Sequence, residues 1–481
     1  MVASGFPARW TSGRGKMVLV GAMCAQSRGK RGSMRDQTRT TSRLAGTVTA
    51  VLLAAALLAG CSSSSPGAAK STSTTATTAT TATTSGGSGS KSDIVIGAIS
   101  SLTGAIAADF NGFVPGMQAY FDMANASGGI NGHKLMLADN LDDGSNPSQF
   151  TQLTHTLLQQ DHVFAVGIST FFFNPSLYSQ SGTPTYGYNV SGNWNGPSNL
   201  FAAGGSIQDY QVGASPVAWL LEQTHSSSVA VISYGSAITA SYNACNADAN
   251  NLSKAGIKVS YTDLSASLGG NYTPAVQKMQ QAGSDFVLTC MQSSDNITLA
   301  RAIQQYGLKV HQLWLNGYDQ SLLDQYSSLM QGVYLNVNGN VPFQAAKTFP
   351  GVYPGVQAYL SAMQSYEPKY VYSDQALQGW QSAALLAAGI QKAGSNVTPQ
   401  NVIAQTNQIT NFTAGGTTSV VNWTSAHTAQ TFPACTAAVV VKGTQFAPVV
   451  TTGHQVFACF SPTVNLKNPV LVTPPAGTPG T

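Results

Sequence analysis

Ile94-Val95-Ile96-Gly97-Ala98-Ile99-Ser100-Ser101-Leu102-Thr103-Gly104 is an apolar run that breaks into a hydroxyl-rich loop. A helical pattern from Pro115 to Asn125 follows it, and Gly128-Gly129 closes that pattern. A short continuous apolar run reads as a strand buried on both faces. Proline near a first helical turn and glycine after a last one mark the helix ends. The same unit recurs downstream, with strands expected at Leu135 to Ala138, Val163 to Gly167, Thr185 to Tyr188, Ser228 to Ser233, Val259 to Leu264, Phe286 to Met291 and Gln312 to Leu315. Helices are expected between them at Ser148 to Gln160, Asp209 to Glu222, Ser241 to Lys254, Pro274 to Gln281 and Ile297 to Tyr306. Strand and helix in alternation call for parallel sheets with helices on both faces. The body from Asp93 to Thr481 is long enough for two such doubly wound, Rossmann-like sheets, so the fold class is α/β with two lobes.

In open parallel sheets a ligand sits beyond the carboxyl ends of the strands, so the loops after each strand are where chemistry is sought. Those loops are polar and almost uncharged: Ser100, Ser101 and Thr103; Ser169 and Thr170; Tyr188 and Asn189; Tyr234; Gln292 to Asp295; Asn316 to Asp319. No glycine-rich loop with a lysine follows a strand, no G-x-S-x-G elbow occurs, and no H-E-x-x-H occurs. The seven histidines are scattered. The inventory assembles a hydrogen-bonding pocket and neither a catalytic constellation nor a metal or cofactor site.

Ile96 to Gly104, then Asn125-Ala126-Ser127-Gly128-Gly129-Ile130-Asn131-Gly132, resemble the opening of the Leu/Ile/Val-binding family of type 1 periplasmic binding proteins. Asp142-Asp143, Phe164 to Gly167 before Ser169-Thr170, Val229 to Ile232, Asn271 to Pro274, Asp285 to Val287, Gly307-Leu308 and the late helix Gly379-Trp380 to Gly389 continue in that family's order. The resemblance covers Asp93 to about Phe446. It implies two α/β lobes joined by three crossovers, closing on a small solute and delivering it to the permease of an ABC importer. It also implies a ligand site at Ser101, Ser169, Thr170, Tyr188, Asn189, Tyr234, Gln292, Tyr318 and Asp319. Ser169, Thr170, Tyr188 and Asn189 suit a carboxylate or carbonyl oxygen; Asp319 suits an amine. Gln292 stands where relatives often carry an aromatic, a departure from the amino-acid-binding pattern, and the solute that the resemblance implies is an amino acid, an amide or a related carboxylate. Two further readings concern residues near the site. Ser169 suits a helix N-cap, and Phe171-Phe172-Phe173 with Trp194 would give a cleft wall for an apolar or planar group.

Upstream, residues 62–92 are almost wholly Ser, Thr, Ala and Gly and cannot bury a core, so they read as a flexible tether. Before them, Leu44 to Gly60 runs without a charge, follows Arg35, Arg39 and Arg43, and ends in Leu58-Ala59-Gly60-Cys61. A basic segment followed by an apolar run is the organisation of an export signal, and it falls short of the roughly 20 apolar residues of a spanning helix. Small residues directly before Cys61 resemble a bacterial lipobox, which implies lipidation of Cys61 and attachment to the outer face of the cytoplasmic membrane. Met34 would open a signal of ordinary length. Nine of the 22 Lys+Arg and one of the 18 Asp+Glu lie before Cys61, so the rest of the chain carries −4 in place of the precursor's +4. A basic partner-binding surface for nucleic acid is thereby excluded.

Cys245, Cys290, Cys435 and Cys459 are an even set in an oxidising compartment, and four cysteines allow three pairings. Cys245 with Cys290 is favoured because both fall in one repeated unit, and Cys435 with Cys459 because they flank a hairpin around Lys442-Gly443. The domain expectation is a leader over 1–60, lipidated Cys61 and tether over 61–92, a first lobe from 93–210 with about 338–434, and a second from 211–337 with about 435–481. The expected protein is a monomeric solute receptor. The alternatives are a ligand-sensing receptor for a membrane signalling protein, a structural cell-surface lipoprotein, or an enzyme on a related scaffold, the last disfavoured by the missing catalytic groups.

Overall fold

The computed structural model describes residues 91–206, 210–429, 434–461, 465–467 and 471–480. The leader, Cys61, most of the tether and the expected helix start at Asp209 lie outside them. Strand β1 (Ile94–Ser100) is buried at every residue but Val95. Its alternation sends Ile94, Ile96 and Ala98 into one apolar cluster and Ile99 into another, one on each face of the sheet. It pairs in parallel with β2 (Leu135–Asp142) and β3 (Ala165–Ser169), and β4 (Thr185–Gly187) and β5 (Leu200–Ala202) extend the sheet in the order β2-β1-β3-β4-β5. Helices α1 (Phe113–Ala126), α2 (Pro147–His155) and α3 (Pro175–Ser181) connect these strands. The α2 helix continues through a π-turn at Thr156–Gln160.

Helix α4 (Tyr210–Gln223) carries the chain to the second sheet. There β6 (Ser228–Tyr234), α5 (Thr239–Lys254), β7 (Lys258–Ala266), α6 (Thr273–Ala282), β8 (Phe286–Cys290), α7 (Ser293–Tyr306), β9 (His311–Trp314), α8 (Gln320–Met330) and β10 (Tyr334–Asn336) follow in turn. The chain then runs through α9 (Ala345–Thr348), α10 (Pro354–Tyr366), α11 (Asp374–Ala393) and α12 (Pro399–Thr406). It ends in β11 (Ala434–Thr436), β12 (Ala438–Lys442), β13 (Gln445–Pro448) and β14 (Ala458–Phe460). The second sheet has the order β13-β12-β10-β9-β8-β6-β7, parallel except for the β10/β12 and β12/β13 pairs.

The eight expected strands are all present, while β5, β10 and the short β11 and β14, at three residues each, are too brief to show a period. Helix α7 starts at Ser293, ahead of the expected Ile297, because polar Ser293, Ser294 and Asn296 hide its first turn. Cys245 of α5 is bonded to Cys290 at the end of β8, and Cys435 of β11 to Cys459, its direct partner in β14.

Helix α11 returns to the first lobe and lies on α1 at backbone contact. A Cβ at Gly116 would stand 1.8 Å from the Ala376 carbonyl oxygen, and one at Gly379 would stand 1.8 Å from that of Phe113. A single apolar cluster runs from Ala119 of α1 and Trp380 of α11, through Tyr359 and Met363 of α10, to Trp314, Leu335 and Val439 of the second sheet. The two sheets are thus joined along one side by packed side chains as well as by the passages of the chain.

Candidate ligand-binding cleft

Strand order reverses direction between β1 and β3 in the first sheet and between β6 and β8 in the second. Each reversal splays the following loops apart and leaves a crevice at the carboxyl end of the strands. At the first crevice Ser101 donates its N–H to the Ser169 carbonyl (3.1 Å) and its hydroxyl to Asp143 Oδ1 (2.8 Å). The same hydroxyl lies 2.9 Å from Thr170 Oγ1, which in turn accepts from the Phe172 N–H (3.2 Å). Ser169 donates its hydroxyl to the Phe110 carbonyl (3.2 Å). Asn189 donates Nδ2 to the Gly205 carbonyl (2.7 Å). Tyr188 packs its ring 5.8 Å from Phe110, and its hydroxyl takes no hydrogen bond from the described residues. Burial, with Asp374 and Asp109 nearby, holds the Tyr188 phenol well above its ordinary range, so it stays a neutral donor.

At the second crevice the Tyr234 hydroxyl donates to Asp295 and accepts from the Gln292 N–H (3.1 Å). Asp295 also accepts from Gln292 Nε2 (3.2 Å) and from the Gly269 N–H (3.0 Å). Burial and the bond to Asp295 raise the Tyr234 phenol out of the titrating range. The N–H of Tyr234 meets Ser241 Oγ (3.0 Å), whose proton goes to the Cys290 carbonyl, so the disulfide end of β8 and the crevice are braced together.

The lobes meet between these crevices. Asp109, in the 3₁₀ turn Ala107–Asp109 of the first lobe, accepts from both the N–H (3.1 Å) and the hydroxyl of Ser293, the first residue of α7. The carboxylate is 2% exposed. Burial pushes it up to about 6, with Asp319 and Asp295 adding to the rise and the Ser293 bonds opposing it. Leu268, whose neighbour Gly269 bonds Asp295 of the same first turn of α7, packs against the apolar clusters of both lobes. The loop reading missed Asp109. Its one signal was being the lone charged residue between Ile94 and Phe121.

Of the expected ligand residues, Ser101, Ser169, Thr170, Tyr188 and Asn189 gather at the first crevice, and Tyr234 and Gln292 at the second. Tyr318 is instead engaged by the segment at Phe343 and Gln344. Its ring stacks on Phe343 at 4.7 Å, and its hydroxyl accepts from the Phe343 N–H (2.7 Å) and donates to Gln344 Oε1 (3.2 Å). Asp319 caps α8, accepting from the Ser321 (2.8 Å) and Leu322 (3.3 Å) N–H groups.

Two readings of nearby residues are corrected. Ser169 is no helix cap, because a turn at Phe171 and Phe172 follows it and Asn174 caps α3. Trp194, 1% exposed, stacks on Phe173 at 4.2 Å inside the first lobe's core, so that pair is no cleft wall; Phe171, half-buried, meets Phe110 edge-on at 4.6 Å. A cavity of about 650 Å³ beside Phe343, Gln344 and Tyr372 and one of about 310 Å³ beside Tyr261, Asp263 and Lys278 are lined by none of the expected residues. No group of three His, Cys, Asp or Glu among the described residues is placed to hold a metal ion. Nor is any described helix long and apolar enough to cross a membrane. Chemically, the arrangement offers hydroxyls, amides and carboxylates at the two crevices.

Comparison with known proteins gives three kinds of match. The model of a family described as periplasmic binding protein matches residues 93–445. The Leu/Ile/Val-binding protein homolog 3 of Brucella melitensis is 24% identical over 321 residues, covering 63% of this chain and 80% of that protein. Among solved structures, a fatty acid ABC transporter substrate-binding protein from Thermomonospora curvata superposes with a TM-score of 0.62 at 16% identity, over 73% of this chain and 90% of that one. The branched-chain amino acid transporter substrate binding protein LivJ of Streptococcus pneumoniae, solved with isoleucine, gives 0.60 at 16% identity, over 74% and 97%. At such identities these structural likenesses establish the fold alone.

Proposed function

The chain belongs to the periplasmic binding protein family, and from that premise we propose that it is an extracytoplasmic solute-binding lipoprotein. It captures a small polar organic solute, an amino acid, amide or related carboxylate, by lobe closure and delivers it to an ABC importer. The lobes we assign are 93–210 with about 338–434, and 211–337 with about 435–481, on a tether anchored through lipid on Cys61. The observation that carries the reading is the pair of switch-point crevices, one in each sheet, lined by Ser101, Thr170 and Tyr188 on one side and by Tyr234 and Gln292 on the other. Contacts from both lobes exist only when the lobes are closed, so a solute that bridges them shifts the population toward closure. Tyr188 is the group best placed to donate to it, since the hydroxyls of Ser101, Ser169 and Thr170 are already engaged within the protein.

A thermal-shift screen against amino acids, small amides, aromatic carboxylates and fatty acids tests the proposal. A specific solute at 100 times its dissociation constant adds about 2.7 kcal/mol of stability. A hit weakened by Tyr188→Phe identifies both the solute class and the cleft. A folded, ligand-free protein that responds to nothing in the library overturns the receptor reading.

A further inference from the structure

We propose that Asp109 is a proton-linked latch for lobe closure: carried on the first lobe, it docks on the amino end of α7 in the second and takes up a proton as the lobes close. The inference rests on the reading of the protein as a two-lobed receptor that opens and closes.

The geometry is specific to this carboxylate. Both of its oxygens are engaged by one residue of the other lobe, the N–H and the hydroxyl of Ser293. Ser293 opens a helix of 14 residues, whose first N–H groups have no partner within the helix. Closure takes the group from water to 2% exposure. The titratable groups around it are of one sign or neutral: Asp295 on the first turn of α7 and Asp319 ahead of α8 act on it directly, and the Tyr188 phenol lies within its field and that of Asp374. The groups that act on it most strongly include no Lys, Arg or His. Burial and the two acids outweigh the bonds from Ser293 and push the closed-state carboxyl up to about 6.

In an open form the same group faces water and titrates near the ordinary value of about 3.9. The closed form therefore holds the proton more tightly. Acid favours closure through this group, and the advantage is lost as pH rises from about 4 to about 6, amounting to about a hundredfold in the open-to-closed ratio. Above that range the ionised latch still accepts both Ser293 bonds, at the cost of its burial among acids. Leu268, which packs on both lobes without titrating, is a pH-independent part of the contact between them.

Small-angle X-ray scattering of the ligand-free purified protein from about pH 4.5 to 8 tests this, with Asp109→Asn and Asp109→Ala measured alongside. The wild type is expected to expand as pH rises through the window. In Asp109→Asn the amide oxygen accepts from the Ser293 N–H and the amide nitrogen donates to its hydroxyl, so that variant stays compact throughout. Asp109→Ala has no latch and stays expanded. Asp374, pushed up to about 6 by burial, titrates over the same range, and the Asn variant is what separates the two. A wild type whose radius of gyration does not change with pH, or an Asn variant that expands as the wild type does, overturns the latch. If the Ala variant fails to fold by circular dichroism, the Asn variant alone decides. Because scattering is read without ligand, a failed solute screen beside an Asp109-dependent expansion leaves the latch standing, and the converse outcome leaves the receptor standing.

Discussion

Asp248 lies on α5, 5% exposed, close enough to α4 that a Cβ at Gly213 would be 3.4 Å from its Oδ1. Burial pushes its carboxyl up to about 8. A raised folded-state value means that the folded protein holds the proton where the unfolded chain has lost it. Its contribution to stability is therefore full below about 4 and falls as pH rises toward 8. Asp248→Asn is expected to remove this slope and to stabilise the protein at pH 8 by a few kcal/mol, since each tenfold difference in proton affinity between the folded and unfolded chain corresponds to about 1.4 kcal/mol. Melting curves of the two proteins from pH 5 to 8 check it; parallel curves would refute it. At Tyr188, loss of the hydroxyl in Tyr188→Phe removes at most one hydrogen bond to a solute, about 1 kcal/mol, or roughly a fivefold weaker dissociation constant with unchanged melting of the free protein. The contrast with Ser101 is instructive. That position was legible as a loop hydroxyl after a buried strand, but its commitment to Asp143 and Thr170 depends on residues 42 and 69 positions away. Ser101→Ala would test fold and binding together and separate neither.

Helices α1 and α11 touch through Gly116 and Gly379, each against a backbone carbonyl of the other helix. No rotamer change relieves such a clash, so the helices must move apart. Gly379→Ala is expected to cost about 3 kcal/mol in chemical denaturation, against about 1 kcal/mol gained from helix propensity at an exposed glycine. The disulfide between Cys245 and Cys290 closes a loop with a sequence separation of 45 and ties α5 to β8 beside the second crevice. Replacing both cysteines by alanine is expected to cost about 4 kcal/mol by loop entropy, read as a lowered urea midpoint. Long buried strands and strongly amphipathic helices could be read directly in the chain. Helix α8, broken at the non-helical Tyr326, and the brief strands β5, β10, β11 and β14 were not among the expected elements, since three residues are too few to show a period.

At the scale of the molecule, one apolar cluster joins α1, α10 and α11 to β9, β10 and β12. Asp109 with Ser293, and Leu268, join the lobes between the crevices. A packed apolar cluster does not come apart easily, while a pair of hydrogen bonds and one leucine do, so opening is expected to pivot on the first and separate the second. The proposed anchor belongs to this scale too. Expressed in a bacterium, the protein is expected to enter the detergent phase on Triton X-114 partition, and Cys61→Ala to move to the aqueous phase. Partition unchanged by the substitution would refute lipidation at Cys61.

The sequence by itself determined the α/β class, the alternation that makes parallel sheets, and the loops in which a site must lie. These follow from backbone hydrogen bonding and from apolar periodicity, which act over a few residues. Only the tertiary structure decided which hydroxyls are already engaged, that Tyr318 faces inward, and that Asp109 of one lobe meets Ser293 of the other. Those facts rest on contacts between residues as far as 184 positions apart. A local pattern carries no information about which partner will be present to satisfy a buried polar group.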